Sequence, residues 1–401
     1  MADTFYFSRD TKVYLTPAGS TTVGWEIPVL DGFSFSQATN TSEVTLNEMA
    51  DANEKSRRAR QMFTDSFAPA EWSFSTYMRP FGAVPAAGAS KWEPSGDITG
   101  NPQHAVEEAL WAYFVGATTF TLGNGSTASA WVGPTLDGTN VSAPITNGAS
   151  TMDVNFTASE RASLSEFDLY FEMGGAGSGT KLTYKISNCA ASTASIDFDI
   201  DGIATINWSG FGKLLEELST PAVAITNKIT EGSTETGNFI RNRLTTLAMT
   251  NAEGGDYNAA YDLTLTGGNI TFENNLTYLA PETLGVVNQP LGNVTGTRSV
   301  SGNFTCYLNN DTAKSAELFD DISADLTTIT NNFDLNFKIG GNNTPSVEID
   351  CTKCHLEVPT HSTEDIISLD VNFHALPASI DPGNTAASYE AEIKYKGNDL
   401  S

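Results

Sequence analysis

The chain has 401 residues, and 21 Lys and Arg against 48 Asp and Glu leave a formal net charge of −27. Sequence-specific nucleic-acid binders need a basic footprint, which this balance excludes. Apolar residues make up 40%, with 22 Phe, 12 Tyr and 6 Trp, which excludes a disordered acidic chain and leaves enough to bury sizeable cores.

Only 17% of residues are charged, and Ser, Thr, Asn and Gly fill the remaining surface, as in turn-rich all-β proteins. Met1-Ala2-Asp3-Thr4-Phe5 has neither the basic nor the apolar region of a secretory signal. No run approaches the ~18 consecutive apolar residues of a spanning helix. Four cysteines are too few for a disulfide scaffold. The expectation is a chain folded in a reducing cytoplasm, away from membranes.

Along the chain, Phe33 and Phe35, then Trp72 and Phe74, alternate with polar residues as half-buried strands do. Between them the polar segment Asn40–Phe67 carries Lys55, Arg57, Arg58 and Arg60, a dense basic cluster in an acidic protein. It reads either as a solvated loop or helix face, or as a contact with the acidic surface of another copy. Around residues 83–162 the chain is rich in Gly, Ser and Thr, as in Gly123-Asn124-Gly125-Ser126-Thr127, and reads as an inserted surface loop or hairpin. Within it, Val106, Leu110, Tyr113 and Phe114 have helical spacing, which predicts a helix over His104–Gly116 with Gly116 as its cap. Phe167, Leu169 and Phe171, then Ile196, Phe198 and Ile200, return to strand alternation. The second run places Asp197, Asp199 and Asp201 on one strand face. That is either an ordinary exposed edge or a surface lining a wide aqueous space, where solvent screens the repulsion.

The second half repeats the first. Phe333-Asp334-Leu335-Asn336-Phe337 matches Phe167-Asp168-Leu169-Tyr170-Phe171 at an offset of 166, and Val371-Asn372-Phe373 matches Ile206-Asn207-Trp208 at 165. Phe304-Thr305-Cys306-Tyr307-Leu308 matches Phe74-Ser75-Thr76-Tyr77-Met78 at 230, and Thr245–Thr250 matches Thr11–Thr16 at 234. A second helix starts at Asp311-Thr312 and carries Ala316, Leu318, Phe319 and Ile322. The expected organisation is mainly β. Two tandem β-sandwich or half-barrel units span residues 1–215 and 238–401, each with one flanking α-helix, and a linker spans 216–237. In the second unit the segment matching the basic loop, Glu282–Arg298, keeps only Arg298 as a cation.

The search for chemistry excludes the familiar catalytic sets. Cys351-Thr352-Lys353-Cys354-His355 has the spacing of a c-type haem attachment site. Cys351 matches Ile186 and Cys354 matches Cys189, so both read as small buried apolar residues. Residues three apart on a strand also face opposite sides, which is wrong for clamping one cofactor. His104, His355, His361 and His374 lack metal-binding spacing, and neither a GxSxG nor a phosphate-binding glycine loop is present. No catalytic residue, cofactor or metal site is expected.

Ile196-Asp197-Phe198-Asp199-Ile200-Asp201-Gly202-Ile203-Ala204-Thr205-Ile206-Asn207-Trp208-Ser209-Gly210 resembles the closing segment of bacteriophage tail tube (major tail) proteins. The order strand, long charged loop, strand, helix, strand is similar too. The resemblance implies two packed sheets with a flanking helix. It further implies subunits that form rings stacked into a hollow tube, through which genomic DNA passes without specific binding. A duplicated unit implies three chains per ring with pseudo-sixfold symmetry. Implied partners are further copies and other tail proteins (terminator, baseplate or tip, and a sheath where the tail contracts). The implied location is the virion tail, assembled in the host cytoplasm. On this reading Lys55, Arg57, Arg58, Arg60 and Arg298 are candidate subunit or ring contacts, and Asp197, Asp199 and Asp201 a candidate acidic lumen. A fibre or decoration protein of tandem β-sandwiches is the alternative. An acidic carbohydrate-active enzyme is a third, which lacks a recognisable acid/base pair.

Overall fold

Alternation organises the strands as the sequence predicts: Trp72 and Phe74 are buried while Ser73 and Ser75, each next along the strand, face outward. The computed structural model describes residues 5–21, 23–45, 60–85, 92–95, 101–117, 119–121, 130–132, 135–136, 139–140, 144–157, 164–175, 178–218, 238–251, 260–324, 332–363, 365–377 and 389–397. The protein is mainly β, in antiparallel sheets with no closed barrel among the described residues.

The first half begins with β1 (Tyr6–Pro17), β2 (Trp25–Ile27), β3 (Ser34–Ser36), β4 (Thr39–Thr45), β5 (Arg60–Phe67) and β6 (Ala70–Tyr77). Then come β7 (Pro80–Pro85), β8 (Trp92–Ser95), β9 (Gln103–Ala105) and helix α1 (Glu108–Phe114). The strands β10 (Thr119–Thr121), β11 (Ala130–Val132), β12 (Thr135–Leu136), β13 (Thr139–Asn140), β14 (Ile145–Asn147) and β15 (Thr151–Thr157) follow. The half closes with β16 (Phe167–Gly175), β17 (Ser178–Phe198), β18 (Thr205–Gly212) and β19 (Leu214–Leu218). The second half contains β20 (Thr246–Asn251), β21 (Ala260–Tyr261), β22 (Leu265–Glu273), β23 (Thr277–Leu279), β24 (Gly292–Val294) and β25 (Ser299–Tyr307). It continues through α2 (Ser315–Ala324), β26 (Phe333–Ile339), β27 (Ser346–Leu356), β28 (Thr360–Thr363), β29 (Ile367–Ala375) and β30 (Tyr389–Lys396).

One long sheet crosses both halves in the order β3, β6, β18, the end of β17, β22, β25, β29, with β28 and the end of β27 beyond. Two outer sheets pack behind it. One is β2–β1–β16–β17–β19, and the other β21–β20–β26–β27–β30–β15–β14–β11–β10. Strands β17 and β27 are shared between sheets. In β17 the change falls near Asn188, whose φ of 51° is tolerable for Asn. Its N–H donates to Asp168 at 2.9 Å and its amide to Glu166 at 2.6 Å.

The hairpins of the two halves share register. Phe167 pairs with Cys189 and Leu169 with Ile186, with a shift between them. Phe333 pairs with Cys354 and Leu335 with Cys351, with a shift at the same step. The bulge corrects one expectation: an extra residue lets positions three apart face the same way, so Cys351 and Cys354 are both buried. Another match moves by two residues. Trp208 faces Phe74, but Phe373 faces Gly302, and Phe304 faces Val371. A large ring thus meets a glycine in the second half.

Several boundaries differ from expectation. Helix α1 starts at Glu108, and His104 lies in β9, because every α1 side chain is buried and packing rather than amphipathic periodicity sets its extent. Helix α2 starts at Ser315, whose hydroxyl accepts from Asn309 N–H (2.8 Å) and donates to the Tyr307 carbonyl (2.8 Å). The segment expected to be an inserted surface loop or hairpin does hold a hairpin, β14–β15, but that hairpin contributes Ile145, Met152, Val154 and Phe156 to the core rather than lying on the surface. Gly123–Thr127 lie outside the described residues, as does most of the expected linker, whose first residues belong to β19.

At the centre sits Trp111 of α1. Its ring lies 4.7 Å from that of Trp208, 5.5 Å from Phe272 and 5.7 Å from Phe156, so one side chain joins β18, β22 and β15. Its indole N–H donates to Tyr395 Oη at 2.8 Å, and the Tyr395 hydroxyl donates to Glu107.

Candidate functional site

The long sheet buries one face, and its sequence makes the other almost uniformly small and polar. Strand pairing sets these residues in rows. One row runs Ser75, Asn207, Ser195, Thr271, Ser301 and His374, and the next runs Thr205, Asp197, Asn269, Asn303 and Asn372. A hydrogen-bond chain links four strands. Ser75 Oγ donates to Asn207 Oδ1 (2.6 Å), and Asn207 Nδ2 to Asp197 Oδ2 (3.2 Å). From the other side Thr271 Oγ1 donates to Asn269 Oδ1 (2.7 Å), and Asn269 Nδ2 to Asp197 Oδ1 (2.5 Å).

Carboxylates occur on this face at Glu71, Asp197, Glu273 and Asp370, and among the described residues none of its outward strand positions is Lys or Arg. At the far rim Glu357 accepts from Asn372 Nδ2 at 2.9 Å and lies 3.4 Å from His374 Nε2. Those two hydrogen bonds, Asn372 first, hold its carboxyl below the usual range. Lysines lie instead on the outer sheets, where Lys12, Lys185 and Lys396 pair with Glu26, Asp168 and Glu348. A surface of amides and hydroxyls binds water through neutral donors and acceptors, and without Lys or Arg it lacks the charge attraction that dominates affinity for phosphates.

The sequence-derived candidates separate. Asp197 sits within this face. The strand ends at Phe198, so Asp199 and Asp201 are not on it: Asp199 Oδ1 accepts the Asp201 N–H at 3.2 Å in the turn beyond, and Asp201 lies 3.7 Å from Arg243. Three alternating carboxylates are therefore not aligned on one strand. Arg60 opens β5 at the end of the β4–β5 hairpin, exposed and 3.5 Å from Glu43. Lys55, Arg57 and Arg58 lie outside the described residues. Arg298 is bound within the chain, 2.5 Å from Glu390 of β30 and over the Phe156 ring.

Three ionisable side chains at two places escaped the sequence reading. Glu107 is fully buried, and burial pushes its carboxyl up to about 8. Asp334 and Asp350, on neighbouring strands, share a partly buried site. Burial first, then the Asp350 carboxylate, pushes Asp334 up to about 6. The polar face itself was legible in the Ser, Thr and Asn that recur at alternate strand positions. Among the described residues no helix is long and apolar enough to cross a membrane, and no group of three or more His, Cys, Asp or Glu is arranged to hold a metal.

Comparison with known proteins gives a concordant result. Over 388 residues the chain is 28% identical to the tail tube protein pb6 of Escherichia phage T5, a match covering 94% of this chain and 74% of that protein. The family model for phage tail tube proteins matches residues 85–375, and the chain therefore belongs to the phage tail tube protein family, as a structural component of the tail.

Proposed function

We propose that copies of this chain form rings of three with pseudo-sixfold symmetry, that the rings stack into the tube, and that the polar face of the long sheet is the bore wall along which genomic DNA passes. The carrying observation is that face: seven strands wide, polar, and without Lys or Arg at its described outward positions. A net charge of −27 adds repulsion of phosphates over about a Debye length of ~8–10 Å. The wall that touches DNA is then neutral in most of its groups, with the excess negative charge carried mainly elsewhere.

The matched hairpin registers support a duplicated unit, and two units per chain support the trimer. Heterologous contacts that do not close along the axis generate open stacks. The role is structural rather than catalytic, with the tube assembled in the host cytoplasm beside other tail proteins and carried in the virion. Negative-stain microscopy and native mass measurement of the purified protein test this. Tubes or rings with three chains per ring are expected. Six chains per ring would overturn the trimer, and dispersed monomers or trimeric rods would favour a virion-surface binding module instead.

A further inference from the structure

The join between the halves supplies a template for the join between chains. Inside the chain, β17 pairs with β22 so that Ala194 faces Phe272, Ser195 faces Thr271 and Asp197 faces Asn269. Walking outward from β18 and β29 locates the counterparts of both edges. Trp72 faces Gly210 and Phe35, while Val300 faces Ala375 and Phe272; Phe35 therefore stands where Phe272 stands, and Ser34 where Thr271 stands. On the other side Trp208 faces Ala194, and Phe373 faces Leu356. Asn207 faces Ser195, and the Asn372 carbonyl accepts the Glu357 N–H at 3.0 Å. Thr205 faces Asp197, and Asp370 faces Thr360.

Within the chain the Ala194–Asp197 edge is filled by β22. The corresponding edge at Leu356–Thr363 and the outer edge of β3 pair with no further strand of the long sheet among the described residues. They are the two sides of one junction, placed at opposite ends of a single sheet. Unpaired edges template pairing with another chain, and a head-to-tail pairing whose rotation closes makes a ring. Val358, 56% exposed at this edge, is an apolar side chain left for a partner to cover. Pro359 falls where three residues of one strand oppose two of the other, an irregular step at which a missing N–H is tolerated.

We infer that the Leu356–Thr363 edge pairs antiparallel with the outer edge of β3 in a second copy of this chain, with Leu356 opposite Phe35 and Glu357 opposite Ser34. This rests on the ring proposed above and names its seam.

The test introduces Ser34→Cys and Glu357→Cys together in the full chain. Both sites are solvent-accessible, and the four natural cysteines are buried. Oxidation of assembled protein should give a covalent trimer on a non-reducing gel, absent from either single variant. Ser195→Cys with Thr271→Cys should close within one chain as the internal control. Tubes that form without the intermolecular cross-link, while the internal pair closes, overturn the seam and leave the tube intact. Protein that stays dispersed and uncross-linked sinks both readings. Val358→Lys gives a second reading: a folded chain by circular dichroism that fails to form rings supports the seam, and unchanged assembly contradicts it.

Discussion

Asn269, in the second half of the chain, donates its side-chain amide to the carboxylate of Asp197 in the first, at 2.5 Å. With Asn207 bonding the other carboxylate oxygen, the charge at the centre of the polar face is held between two neutral amides rather than by a cation. The contact crosses the β17–β22 junction, so it also ties the halves together on the solvent side.

That arrangement predicts what basic residues would do. Asn269→Lys, Asn303→Lys and Asn372→Lys together should leave the fold intact, since all three side chains reach solvent. The variant should gain salt-dependent DNA binding beyond that of the natural protein. Each phosphate contact steepens the dependence of log K on log salt by about 0.9. Fluorescence anisotropy with a short duplex across a salt series measures it, and equal non-binding of both proteins would contradict the reading.

Trp111 is the mechanical centre. Trp111→Ala should cost about 3–5 kcal/mol, because it empties a site where Trp208, Phe272 and Phe156 converge. Tyr395→Phe removes less volume but leaves Trp111 Nε1 without its acceptor and Glu107 without its donor, an expected loss of about 1–3 kcal/mol. Denaturant unfolding measures both, and the Trp111 variant should show the larger loss.

Two carboxyls set the pH dependence. Glu107 titrates near 8 in the fold against 4.5 ordinarily, so the folded chain holds a proton that the unfolded chain has released. Stability from this group is greatest below about 4.5 and is lost as pH rises towards 8. Asp334 has the same sign in the window from 3.8 to about 6. Glu107→Gln should raise the melting temperature at pH 9 relative to the natural protein more than at pH 5. Asp334→Asn should flatten the profile below pH 6. A series of thermal melts from pH 4 to 9 checks both.

The basic loop yields a prediction about assembly. Replacing Arg57, Arg58 and Arg60 by Glu should block tube growth or make it strongly salt-dependent while leaving the chain folded. An exposed ion pair contributes only about 0–1 kcal/mol, but a ring repeats each contact. Circular dichroism beside sedimentation at low and high salt separates the two effects. Unchanged assembly would return the cluster to an ordinary solvated loop. Arg298 should behave differently: its ion pair with Glu390 is internal, so its removal should lower stability as well as any effect on assembly.

The sequence by itself determined the strands. A period of two is set residue by residue, so Phe167, Leu169, Phe171 and their counterparts Phe333, Leu335 and Phe337 could be read as core without knowing what they touch. The uncharged outward positions of the long sheet were written in the same alternation. Tertiary structure decided the rest. Whether Cys351 and Cys354 share a face depended on a bulge, which leaves no mark in local periodicity. Residues 144–157 looked like loop because Gly, Ser and Thr dominate the surrounding segment. They became core because a distant strand, β30, offered Ile393 and Tyr395 as pairing partners. The carboxylate of Glu107 could be placed in the interior only once Trp111 and Tyr395 enclosed it, since burial is a property of the packed chain and not of any window along it.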